Sequence, residues 1–231
     1  MTERQALVVR GGWEGHQPVE STDHFIPHLE ANGFTVRVED SPKVYADADY
    51  MAGVDLVMQC MTMSTIEKDE LAGLVTAVEN GTGLAGWHGG IADSYRNSSD
   101  YLQLIGGQFA CHPPKAAEER TGEQSDYFIP YRVEVLPTAA EHPVTRGIAD
   151  FDLVTEQYWV LTDEYNEVLA TTTLAAREWD AWHRPVTSPA IWTREWGRGK
   201  VFVCTAGHDM DVIRDANVTT IVQRGLLWAA R

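Results

Sequence analysis

The chain has 231 residues, 44% of them hydrophobic and 23% charged, a globular composition long enough to bury a sizeable core. Its 34 acidic side chains outnumber 18 basic ones for a net charge of −16; with no basic stripe to offset that field, nucleic acid and anionic membrane are excluded as expected partners. Three scattered cysteines, Cys60, Cys111 and Cys204, form no C-x-x-C pair, which excludes a disulfide framework and a thiolate zinc site.

No stretch approaches the ~18 apolar residues of a membrane span, and the first apolar run is too short for a signal peptide. A cytoplasmic enzyme or binding protein is the expectation. In chain order, ALVV (6–9) reads as a buried strand ending at Gly11-Gly12. Residues 20–31 carry a helical pattern stopped by Asn32-Gly33 and interrupted by Pro27. FTVRVE (34–39) alternates as a strand does, and VDLVMQC (54–60) is a continuous apolar run. Ser64 or Thr65 is placed to cap a helix running through Val78 and stopped by Asn80-Gly81, before the next strand, TGLAGW (82–87). Strand, helix and strand in repetition predict an α/β fold: a doubly wound, mostly parallel, flavodoxin-like sheet with helices on both faces.

The second half is richer in strands. Segments 127–137, 151–161 and 167–173 are strand-like with little helix between them, an extra antiparallel β segment. Residues 190–208 read as a hairpin turned by Trp196-Gly197-Arg198-Gly199, longer than a two-residue turn. A helix over 211–230 closes what is expected to be one domain spanning 1–231.

Ligands of open parallel sheets bind beyond the carboxyl ends of the strands. His16, His88 and His208 all fall there, each beside glycines, and His112 ends an excursion that starts near the same edge. His88 also occupies the centre of Gly86-x-His88-x-Gly90, the spacing of a nucleophile elbow in which imidazole replaces a hydroxyl or thiol. Imidazole suits proton transfer and metal ligation but not a lasting acyl intermediate. Glu156, in an apolar strand, either faces the cleft as base, orienting group or ligand, or is an edge carboxylate facing solvent. The remaining histidines, His24, His28, His142 and His183, are read as surface helix, turn or loop residues. Trp13, Trp87 and Trp159 neighbour these polar candidates and suit stacking on a sugar ring, although several tryptophans serve equally well as core, and Tyr158 is a further substrate-binding candidate. Asp93, Tyr95, Arg96 and Asn97, just past the glycine turn, supply the hydrogen-bonding groups a polyol requires.

The run Gly86-Trp-His-Gly-Gly-Ile-Ala-Asp93-Ser-Tyr-Arg96-Asn97, followed by Gly106-Gly-Gln108 and His112-Pro113, resembles the trehalose-utilization (ThuA-like) family. His142-Pro-Val-Thr-Arg-Gly147, Thr155-Glu-Gln-Tyr158 and Gly207-His208-Asp209 are similar to its later blocks. The resemblance implies the class I glutamine amidotransferase-like fold, with His88 where true amidotransferases carry a nucleophilic cysteine, and hence no glutaminase activity. It further implies a role in the catabolism of trehalose and related disaccharides.

The leading functional expectation is an enzyme acting on a disaccharide or oxidised sugar, with His88 and His208 handling protons, helped by His16, His112 or Glu156. A second version places a divalent metal such as zinc among His16, His88, His112 and His208. The rival from another class is a non-catalytic sugar-binding module. Without a G-x-G-x-x-G motif no nucleotide cofactor is expected, and a homo-oligomer is the ordinary expectation for such an enzyme.

Overall fold

The computed structural model describes residues 4–231; the first three residues of the expected domain lie outside them. The elements run β1 (Arg4–Gly12), α1 (Pro18–Ala31), β2 (Phe34–Glu39), α2 (Ala48–Met51), β3 (Leu56–Thr62), α3 (Lys68–Glu79), β4 (Gly83–Trp87) and α4 (Gly89–Ala92). There follow α5 (Ser99–Ile105), β5 (Gly107–Cys111), β6 (Phe128–Val135), β7 (Phe151–Glu156), β8 (Trp159–Thr162) and β9 (Glu167–Leu174). β10 (Val186–Trp196), β11 (Gly199–Cys204), α6 (Met210–Ile213) and α7 (Ala216–Ala229) complete the chain.

One nine-stranded sheet has the order β2-β1-β3-β4-β11-β10-β9-β6-β7. From β2 to β11 the neighbours run parallel; from β11 to β7 they run antiparallel. The period-2 alternation of β1 divides the core in two. Ala6 and Val8 pack with Phe25 and Leu29 of α1 and Val218, Ile221 and Leu226 of α7. Leu7 and Val9 point the other way, into the cluster that holds Leu74 and Val78 of α3 and Leu104 and Ile105 of α5. Every residue of β3 is buried, as its continuous apolar run requires of a strand covered on both faces. The buried Gln59 at its middle is fully hydrogen-bonded: it accepts from Tyr45 Oη at 2.9 Å and donates to Ser94 Oγ at 3.0 Å and Tyr101 Oη at 2.5 Å. Through Ser94 Oγ, which donates to Gly90 O at 2.8 Å, and Tyr101 Oη, which donates to Ile91 O at 2.8 Å, this network holds the short helix α4 against β3.

Several local expectations are corrected. Helix α3 starts at Lys68, not at Ser64 or Thr65, because the carboxylate of Glu70 accepts from Glu67 N at 2.8 Å and fixes the helix start there. Segment 151–161 is two strands: after Glu156 the chain leaves the main sheet, and β8 pairs with β5 in a separate antiparallel ribbon. The β10–β11 turn has only two central residues, since Trp196 pairs with Gly199; Gly197, at φ 61°, takes the first central position that a tight II′ turn reserves for glycine. The last helix is broken between Ile213 and Ala216, where Asp215 caps α7 by accepting from Asn217 N and Val218 N.

Candidate active site

The site begins where β4 ends. Trp87 closes a fully buried strand, and His88 follows at φ 48°, ψ −142°, a backbone region that glycine enters far more readily than a residue with a side chain. The surroundings over-determine that conformation. His88 N donates to Cys204 O at 2.6 Å, and Ala92 N donates back to His88 O at 2.9 Å as α4 begins. Two glycines then let neighbours close in: a Cβ on Gly89 would lie 2.5 Å from His16 Cε1, and one on Gly90 would lie 2.8 Å from Cys60 Cα. Gly89→Ala is therefore expected to displace the His16 ring while the sheet stays intact. Loss of ligand binding with little change in circular dichroism would bear this out; a normal site in the variant would contradict it.

Four side chains from distant parts of the chain meet at this elbow. His16 comes from a short 3-10 turn after β1, His208 from the loop after β11, and Glu156 from the last position of β7. Glu156 Oε2 lies 3.1 Å from His88 Nε2 and 3.1 Å from His208 Nδ1, and those two nitrogens are 3.3 Å apart. With His16 included, one ligand atom from each residue lies within 4.8 Å of all the others. In a tetrahedral shell with bonds of ~2.0–2.1 Å, neighbouring ligand atoms sit ~3.3 Å apart. The triangle of His88, His208 and Glu156 has the dimensions of one face of such a shell.

The outer partners fit the same reading. His88 Nδ1 donates to Thr205 O at 2.7 Å, which turns Nε2 toward the cluster; there it needs either a second proton to meet Glu156 or a cation to meet its lone pair. His16 Nδ1 is hydrogen-bonded to Thr62 Oγ1 at 2.9 Å, leaving Nε2 as its ligand atom. His208 Nε2 meets the Gln124 side-chain amide at 2.7 Å; rotating that amide presents its oxygen to Nε2–H and frees Nδ1 as a ligand.

The electrostatics suit a cation. Burial, with the neighbouring His88 and His208 adding to it, pushes the His16 pKa down to about 2, so the ring is neutral. Burial disfavours charge on Glu156 as well, yet hydrogen bonds from His208 and His88 outweigh it and hold the carboxyl well below the usual range. An ionised carboxylate beside the neutral His16 ring gives a cation two ready ligands.

His112 stands slightly apart. Its Nε2 is 3.7 Å from Glu156 Oε1, its ring lies edge-on to Tyr127 at 4.2 Å, and its buried Nδ1 has no hydrogen-bond partner. In the ligand set its expected place is taken by Glu156, which faces the cleft. A cavity of about 230 Å³ opens over the cluster, with Trp13, Asp93, Arg96, His112 and Tyr158 among its lining residues. Tyr158 lies against the His88 ring at 4.4 Å, and Trp13 meets His16 edge-on at 4.7 Å. Arg96 is paired with Asp93 at the rim.

Three expected sugar-binding residues do not line this cavity. Trp87 packs on Phe25 in the core, Tyr95 is buried against Tyr101, and Asn97 lies in an exposed turn. Trp87, the last residue of a strand buried on both faces, turns its ring to the side covered by α1, and Tyr95, in the loop after α4, is buried with Tyr101 of α5. Gln124, Tyr127, Phe109 and Met63 line the cavity without having been singled out. Gln124 opens the 3-10 turn just before β6, at the end of a long irregular loop whose polar composition carries no periodic signal, and Tyr127 closes that turn, whereas Met63, at φ 49° just past β3, sits on the strand-end edge already marked by His16 and His88.

The fold and site define a class: an α/β protein in which the parallel strand β4 ends in a tight glycine-flanked turn that carries a buried histidine. The trehalose utilisation family model, ThuA, matches residues 5–229, and the chain belongs to that family. Among solved structures, a ThuA-like protein from Bacteroides uniformis is 19% identical with a TM-score of 0.70, the match covering 98% of this chain and 91% of that one. A ThuA-like protein from Parabacteroides merdae is 14% identical with a TM-score of 0.70, covering 99% and 90%. A protein described as cytoplasmic, from Salmonella typhimurium LT2, is 13% identical with a TM-score of 0.64, covering 98% and 100%. These likenesses bear on the fold. No curated protein sequence matches the chain, and among the described residues no helix is long and apolar enough to cross a membrane.

Proposed function

We propose that the chain is a single-domain, cytoplasmic enzyme of carbohydrate catabolism, acting on a disaccharide or oxidised sugar with a divalent transition ion. Zinc suits the donor set best, with His88, His208 and Glu156 as ligands and His16 as the fourth. The observation that carries this reading is the triangle of ligand atoms with edges of 3.1–3.3 Å at the elbow. A bound ion supplies Lewis-acid polarisation of a sugar oxygen. Thr205, Thr62 and Gln124 fix the ring nitrogens of His88, His16 and His208. His112, with its free Nδ1, exchanges a proton with the ligand. Trp13 and Tyr158 offer aromatic faces to the sugar ring, and Asp93 and Arg96 take its hydroxyls.

Membership of the trehalose utilisation family supports a carbohydrate substrate. Imidazole at position 88 cannot form the thioester a glutaminase needs, so no glutaminase activity is expected. The doubly wound, amidotransferase-like reading of the sheet is supported by the helices on both faces and by the elbow.

Protein purified without a metal-affinity tag is expected to carry about one zinc-like ion per chain, and His88→Ala and Glu156→Gln to carry none, by elemental analysis. Trace metal that a chelator strips with turnover intact would reject the ion. That result would favour the second reading, metal-free proton transfer, which the ion pairing of Glu156 with His88 and His208 supports.

A further inference from the structure

The cavity over the histidines has a larger neighbour. His112 and Tyr127 line the first, while the next residues along the chain, Pro113 and Phe128, line a second cavity of about 600 Å³. The two are back to back across this wall. The larger one falls in the size range of ordinary small-molecule sites, and the smaller one does not.

Its floor holds polar groups that the protein leaves unmatched. Gln157 is 2% exposed; its amide nitrogen donates to Thr172 Oγ1 at 2.7 Å, and no donor among the described residues reaches its oxygen. The Tyr131 ring is also buried, and its hydroxyl makes no hydrogen bond with the described residues. Neither atom is sealed off from solvent: both residues line this cavity, where their polar atoms are open to whatever fills it. Aromatic surface completes it: Phe128 on one side and Trp179, 51% exposed, at the mouth. The charges around it balance, with Lys115 and Glu119 of opposite sign in the lining and Arg177 paired to Asp180. Arg177 Nη1 also donates to Pro114 O at 2.8 Å, tying together the two loops that form the walls.

We propose that this cavity is a second saccharide-binding site. Balanced charge disfavours a phosphate or a free acid, whereas aromatic faces beside buried hydrogen-bonding groups fit an uncharged polyol ring. The assignment of a sugar, rather than another neutral amphipathic ligand, rests on the carbohydrate reading above. The site also abuts the first: Phe128 packs edge-on to His208 with ring centroids 5.0 Å apart, and Gln157 directly follows Glu156 in the chain.

The test uses the full chain labelled with 5-fluorotryptophan, its Trp179 and Trp13 resonances assigned by Trp179→Phe and Trp13→Phe. Trehalose, maltose and adenosine monophosphate serve as probes. A saturable shift of the Trp179 resonance with a disaccharide is expected, retained in His88→Ala. It should weaken about tenfold in Gln157→Leu, the loss of one buried hydrogen bond, and binding at this site by calorimetry should weaken likewise in the surface variant Trp179→Ala. A disaccharide shift at Trp13 alone would overturn the second site and leave the proposed function standing. A shift of Trp179 with the nucleotide only would overturn the saccharide assignment. Silence of every tryptophan toward both disaccharides would overturn this proposal and count against the carbohydrate reading too.

Discussion

His88→Ala is expected to lower turnover of a validated sugar substrate about 10³-fold while the protein remains folded. The substitution removes the ring that meets Glu156 and His208 and is anchored on Thr205. Comparison with His88→Gly separates the chemistry from the backbone. Both variants lack imidazole, but only glycine accepts φ 48°, ψ −142° without strain, a relief of order 1–3 kcal/mol. The glycine variant should therefore melt higher than the alanine variant, the reverse of the usual ranking in regular structure. Wild-type turnover in either variant would contradict the assignment, and an alanine variant more stable than the glycine one would contradict the strain.

The second large effect is acid lability of metal-free protein. The His16 pKa is lowered from 6.5 to about 2 by burial and its histidine neighbours. Below pH 6.5 the unfolded chain takes up a proton that folded His16 refuses, so stability is fully present above that pH and falls as the solution is acidified. The slope for this one group approaches ~1.4 kcal/mol per pH unit. Glu156 adds to it: its depressed pKa contributes stability above the ordinary value of 4.5 and loses that contribution as pH falls further. Denaturant unfolding at pH 7, 6 and 5 should show the decline, and His16→Gln should flatten it by ~2 kcal/mol across that span. Parallel curves for the two proteins would refute it.

The parallel half of the fold was legible because β1, β3 and β4 are continuous apolar runs, a pattern that buried parallel strands share, while the edge strand β2 alternates. The histidines at the strand ends were legible for a related reason: topology fixes which edge of such a sheet carries ligands, so residues after β1, β4 and β11 had to share one. What sequence could not supply was geometry decided by long-range packing. The break after Glu156 leaves no composition signal, because Gln157 and Tyr158 are as compatible with a strand as their neighbours are. The side of the sheet taken by Trp87 depends on register and the burial of Tyr95 on how the loop after α4 packs against α5, and a ring suited to a sugar is equally suited to a core. Gln124 reaches His208 only because an irregular loop folds over the edge, held by the Asp126 carboxylate as it accepts from Thr121 N and Gly122 N.

Anomalous diffraction at the zinc edge from zinc-soaked crystals tests the central claim most directly. One peak is expected, ~2.0–2.2 Å from His88 Nε2, His208 Nδ1 and a Glu156 carboxylate oxygen. Zinc scattering only at surface carboxylates, with the three side chains still hydrogen-bonded to one another, would contradict it.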